Sequence, residues 1–242
     1  MVIKSSAVGA ETRRPAEQRA ATFQGGDNEM VAAYTYLQRA VAIIAVLLPG
    51  SLVVGHRLFG GELLGSISAY YYTHMGNVFV GSLCALAVFF LSYSHRRVRA
   101  FELDNLLSRA ACVAAVGVAV FPTSSNAVVA GGGEKLVSTL HLVFAGVLFG
   151  LLGVFSHFLF TKTNDPSTMT PEKQRRNRLY RTCGKLIFAS MTLVIVSNVI
   201  QPPSSWHTLL WLETVCVLAF GTSWLVKGGF LGILADKTDP PN

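Results

Sequence analysis

Over most of this chain apolar residues do not alternate with polar ones; they run on with little interruption. Six stretches, about Leu37–Gly55, Asn77–Tyr93, Leu106–Phe121, Leu136–Phe160, Leu179–Ile200 and Thr208–Val226, are poor in charge. A hydrocarbon layer about 30 Å thick is crossed by roughly 20 residues of helix, and in lipid each backbone polar group must be bonded within its own segment. The pattern therefore predicts an all-α fold, a polytopic membrane bundle of six transmembrane helices. A seventh apolar run, Gly228–Ala235, is too short to cross.

The flanks divide the chain into residues 1–33, a polar stretch that reads as a disordered cytoplasmic tail, residues 34–228, the six-span domain, and residues 229–242, a short cytoplasmic tail. Arg13 and Arg14 form a twin-arginine pair, but Pro15, Glu17 and Gln18 follow where an export signal needs an apolar run. The largest internal connection, Thr161–Arg178, carries an Asn-Asp-Pro-Ser turn and a Thr-Pro-Glu helix start. It reads as a solvated loop, with docking of a cytoplasmic partner as the alternative.

Inside the spans, Pro49 removes a helix hydrogen bond and is expected to kink or break the first helix near Gly50 and Ser51. Small residues allow close helix approach in lipid, where apolar burial between helices contributes little. Ala110, Ala111, Ala114, Ala115 and Gly117 in span three, with Gly146, Gly150 and Gly153 in span four, predict tight packing there. The Gly146-x-x-x-Gly150 spacing also suits a homodimer contact.

Composition agrees with the pattern: of 242 residues, 51% are hydrophobic and 14% charged, which excludes an ordinary soluble domain. The net charge of +7 raises the possibility of nucleic-acid binding. The positions of the charges remove it, because 18 of the 20 Lys and Arg fall in or beside connections on one side of the membrane, leaving Arg57 and Lys135 on the other. The positive-inside rule makes the basic side cytoplasmic and both termini cytoplasmic. Cys84, Cys112, Cys183 and Cys216 lie in apolar runs without a C-x-x-C pair and read as small buried hydrophobes.

Candidate chemistry collects on the side away from the basic loops. There His56, His74, His141 and His207 join the segment from Ser66 to Asn77, which includes Ser68, Tyr70, Tyr71 and Thr73. Tyrosines at this level also serve as interfacial anchors. His141 lies more than a turn inside span four, and Glu213 is an acidic residue deep within a span, so both need partners in the bundle. With Ser124 and Asn198 they outline an outward-opening polar pocket or, on the plainer reading, a structural hydrogen-bond network.

The stretch S-I-S-A-Y-Y-Y-T-H-M-G-N-V-F-V-G, Ser66–Gly81, resembles the signature of an uncharacterised bacterial family of six-span membrane proteins. The step Phe121-Pro122, followed by Leu140-His141 and Ala145, is similar to a pattern in domain-of-unknown-function proteins of the DRAM-type superfamily. The resemblance covers most of the six-span region and implies a multi-pass protein of the bacterial cytoplasmic (inner) membrane, without implying a reaction.

Three functions are compatible with these residues. The leading expectation is binding of a small amphipathic or lipid ligand in the outward pocket by Ser66, Ser68, Tyr70, Tyr71, Thr73, Asn77, Ser124, His141, Asn198, His207 and Glu213, in a receptor, carrier or accessory role and with no cofactor. The second is a zinc-dependent intramembrane hydrolase, with His74, His141 and His207 as ligands and Glu213 or Ser68 assisting catalysis. It would resemble the alkaline-ceramidase class, whose H-x-x-x-H pair this chain lacks. The third is haem held between His141 and His207.

Overall fold

The computed structural model describes residues 13–95, 102–124, 132–163 and 169–230. Packing divides the chain into Met1–Leu37 and Gln38–Asn242. Over its described residues the first unit is a single stretch of helix, and the second holds the bundle.

Six helices are long and apolar enough to cross a membrane, and the described residues contain no strand. They are α1 (Arg13–Leu58), α2 (Gly76–His95), α3 (Glu102–Val120), α4 (Gly132–Val154, continued by a π turn over Phe155–Leu159), α5 (Pro171–Ile200) and α6 (Thr208–Lys227). The corresponding spans, Thr35–Leu58, Gly76–Tyr93, Leu103–Val120, Gly133–Leu159, Pro171–Ile200 and Ser204–Lys227, overlay the predicted ones. Only 22% to 44% of each span is buried, so the remaining apolar faces require lipid.

Several boundaries differ from expectation. Helix α1 starts at Arg13, inside the stretch read from sequence as a disordered tail, while residues 1–12 lie outside the described residues. The Asn164–Ser167 turn and the tail beyond Phe230 also lie outside them. Pro49 does not break α1, which continues to Leu58 with the Ser51 hydroxyl donating to the Leu48 carbonyl at 2.9 Å. Helix α5, by contrast, begins at the expected Thr-Pro-Glu start, eight residues before the apolar run, where Thr170 caps it by accepting from the Lys173 N–H at 3.1 Å and Pro171 occupies its first turn.

Successive helices from α2 to α6 pack on one another. Spans three and four do meet: Gly117 leaves space for the Phe144 ring, and Phe121 stacks on Phe144 at 5.6 Å with planes 2° apart. Gly150 and Gly153, however, face Met191 and Phe188 of α5, and Gly146 faces open space. Helix α1 closes on α6, where a Cβ at Gly221 would lie 2.7 Å from Val46 Cγ2 and 3.2 Å from Ala45 Cβ. The Arg39 Nε–H also donates to the Gly228 carbonyl at 3.0 Å.

Toward the basic end the core is aromatic. Trp224 is fully buried, with ring centroids 4.6 Å from Phe89 and 4.7 Å from Phe160, both edge-on. Tyr93 and Phe220 complete its surround, and Phe90, Phe155 and Tyr180 extend the cluster through α2, α4 and α5. Edge-to-face geometry places ring hydrogens against π faces and is worth about 0.5–1.5 kcal/mol per pair beyond burial. Beside this plug, Asp104 on α3 is 1% exposed and accepts from Lys162 Nζ at 2.6 Å. The π turn ends here, where the Phe160 N–H reaches the Phe155 carbonyl at 3.0 Å, and Gly184 of α5 lies against the His157 backbone.

Candidate functional site

The α1–α2 connection folds back onto α6 rather than lying free over the bundle. Its residues Ser68–Tyr72 form a 3-10 turn with Ile67 at its N-cap. The Leu210 N–H donates to the Gly65 carbonyl at 2.9 Å, and the Ile67 N–H donates to Glu213 Oε2 at 2.6 Å. The Ser68 N–H is directed at the same carboxylate. Glu213 thus does for this turn what an acidic cap does for a helix: it accepts from the unpaired N–H groups at the turn's positive end. That explains an acidic residue inside a span.

Local bonds stiffen the segment. Ser66 Oγ accepts from the Ala69 N–H at 3.1 Å and lies 3.2 Å from Ser68 Oγ. The Thr73 hydroxyl donates to the Tyr70 carbonyl at 2.8 Å and accepts from the Met75 N–H at 3.1 Å. Tyr70 is fully buried, edge-on to His56 at 5.6 Å, with its hydroxyl accepting from the Leu64 N–H at 3.4 Å. Tyr71 packs edge-on against Tyr72, whose hydroxyl donates to the Thr123 carbonyl at 2.7 Å. Desolvation, followed by the nearby Tyr71 and Glu134, raises the Tyr72 phenol above its ordinary value. Of the three tyrosines, Tyr70 is therefore a core residue rather than an interfacial anchor.

Beneath this cap lies a cavity of about 70 Å³ between α1, α2, α3, α4 and α6. Its wall is mainly Val, Leu, Ile, Ala and Phe; the exceptions are Ser68, Ser82, His141 and Glu213. His141 Nδ1 lies 2.6 Å from the Phe121 carbonyl, which can only accept, so Nδ1 carries the hydrogen. That bond occupies the carbonyl preceding Pro122 and joins α3 to α4. The ring also interacts with the Val118 backbone of α3, and His141 stands on the cavity wall. Phe220 forms part of the floor and leads into the aromatic plug.

The predicted pocket residues divide into groups. Ser68, His141 and Glu213 share the interior cavity. Ser66, Thr73 and Ser124 line a separate surface depression of about 560 Å³, with Tyr72 and Thr123. Tyr70 and Tyr71 line neither space. Asn77 is exposed, and Asn198 is exposed with its amide donating to the Val194 carbonyl of its own helix at 2.9 Å, so neither reaches the cavity. His207 sits at the start of α6 with φ of 47° and a buried Nδ1 that has no partner. His74 is exposed and packs 5.0 Å from the Phe59 ring.

Among the described residues no three His, Cys, Asp or Glu side chains converge in a way that could hold a metal ion. The zinc arrangement of His74, His141 and His207 therefore has no geometric support, and His141 spends one ring nitrogen on a backbone carbonyl. Sequence reasoning missed Ser82 on the cavity wall, the aromatic plug and Asp104. The plug left a trace in Phe89-Phe90, Phe155, Phe160, Phe220 and Trp224, all near the basic ends of their spans. Comparison with family models, curated proteins and solved structures finds no match to this chain.

Proposed function

We propose that this chain is a multi-pass membrane protein that binds a small amphipathic ligand inside its bundle, in a receptor, carrier or accessory role. The observation that carries the reading is the cavity wall: apolar on most sides, with the His141 imidazole and the Glu213 carboxylate as polar groups in it. A volume of about 70 Å³ admits a few water molecules or one end of a ligand, and not a whole lipid. The ligand's polar end would bond His141 and Glu213 while its apolar part displaces water from the Leu and Val wall. The basic loops support a cytoplasmic placement of both termini, and a bacterial inner membrane fits the family resemblance.

The test is native mass spectrometry of the full chain released from membranes in mild detergent. A co-purifying small amphipath, lost in His141→Phe and retained in Asn198→Ala, is the expected result. A chain that carries nothing, and whose melting temperature no amphipath library member raises, would falsify the reading. Impermeant labelling of single cysteines at Glu62 and Thr163 tests the orientation separately, with only position 62 expected to react from outside.

A further inference from the structure

Helix α5 is the least buried of the six spans, at 22%. Near its N-terminal end it exposes Arg175, Arg178, Arg181 and Lys185. At 100° per residue these four side chains fall within about 120° of the helix circumference. None of them forms an ion pair among the described residues, and α5 contains no acidic residue after Glu172. The same sector continues toward the other end as exposed Ala189, Leu193 and Val196. One face thus offers unbalanced cations followed by an apolar track.

Depth makes the charges demanding. With Ile200 at one edge of a hydrocarbon layer about 30 Å thick, a rise of about 1.5 Å per residue sets Arg181 at the opposite edge and Lys185 about 8 Å inside it. A cation at that depth reaches outward for an anion, and among the described residues no carboxylate pairs with either side chain. We propose that this face of α5 binds an anionic phospholipid, its phosphate bridged by Arg178, Arg181 and Lys185 and its acyl chains lying along Ala189, Leu193 and Val196. The charge balance, rather than the apolar track, selects an anionic headgroup over a zwitterionic one.

Native mass spectrometry of the full chain in neutral detergent, with equimolar phosphatidylglycerol and phosphatidylcholine, reads the preference directly. Phosphatidylglycerol is expected to be retained at least about fivefold over phosphatidylcholine, the effect of roughly one basic residue at an anionic surface. Replacing all four cations with Gln (R175Q, R178Q, R181Q, K185Q) should bring the ratio to near one, and Lys135→Gln, on the opposite side, should leave it unchanged. Because the ratio in the unmodified chain should also fall as salt is raised, the proposal remains testable if the quadruple variant fails to fold. No preference in the unmodified chain, or a preference that survives both salt and substitution, overturns it. So does equal competition by soluble glycerol phosphate, or a lipid-free dimer crosslinked through Leu193→Cys, which would make a second copy the occupant.

Discussion

Replacing Glu213 with Ala should release the 66–72 segment from the top of the bundle. The carboxylate accepts from the Ile67 N–H at 2.6 Å and faces the Ser68 N–H, so its removal takes the acceptor from both donors. A buried donor left without a partner costs about 1–3 kcal/mol, so losing both destabilises the closed segment by about 2–6 kcal/mol. At about 1.4 kcal/mol per tenfold change in population, the opened form should rise at least about thirtyfold. Glu213→Gln keeps one carbonyl oxygen and should cost about half as much. Ser68 is only 8% exposed, so maleimide labelling of Ser68→Cys, in a background with the four native cysteines replaced by Ala, reports opening. The two Glu213 substitutions should accelerate labelling in the order Ala, then Gln. If Glu213→Ala labels no faster than its parent, the carboxylate does not hold this segment and the capping argument fails.

Trp224→Ala should cost about 3–5 kcal/mol in a mixed-micelle denaturation titration, because a fully buried ring loses its edge-on partners and leaves a void; Trp224→Phe should cost less than half of that. Lys162→Met removes a cationic partner 2.6 Å from the buried Asp104 carboxylate and should cost about 1–3 kcal/mol, with half-exposed Lys162 already screened by solvent. Adding Asp104→Asn should recover part of the loss, and a double-mutant cycle showing no coupling would contradict the pairing. Tyr72→Phe should cost about 0.5–1.5 kcal/mol at neutral pH by removing the bond to the Thr123 carbonyl. Because burial raises the phenol above the ordinary tyrosine value of about 10, its contribution is full below pH 10 and lost as pH climbs beyond that. Stability of the unmodified chain should therefore fall toward that of Tyr72→Phe at alkaline pH.

Much of the candidate site was legible residue by residue and little of it as a set. His141 and Glu213 stood out because a polar group within an apolar span must find a partner. What they found could not be read from spacing: a carbonyl at the end of α3 for one, and the N–H groups of a 3-10 turn 146 positions away for the other. Asn198 looked equivalent to them at the same depth, yet its side chain bonds its own helix and faces outward. Helical phase relative to neighbours separates these cases, and phase is weakly encoded when every face of a span is apolar. The aromatic plug escaped notice for the same reason, since a Phe facing lipid and a Phe facing the core read alike.

The sequence by itself determined the six spans, because crossing a hydrocarbon layer is a demand on length and polarity that each segment meets alone. It also determined the capped start of α5 at Thr170 and Pro171, a local matter of backbone donors and a fixed φ. Only the tertiary structure decided which helices meet and what lies between them. That choice depends on close fits such as Gly221 against Val46, on edge-on rings around Trp224, and on a single carboxylate at Glu213. Lipid is as apolar as leucine, so contacts between spans are selected by shape and hydrogen bonding rather than by hydrophobicity. Hydropathy patterns carry almost no record of either.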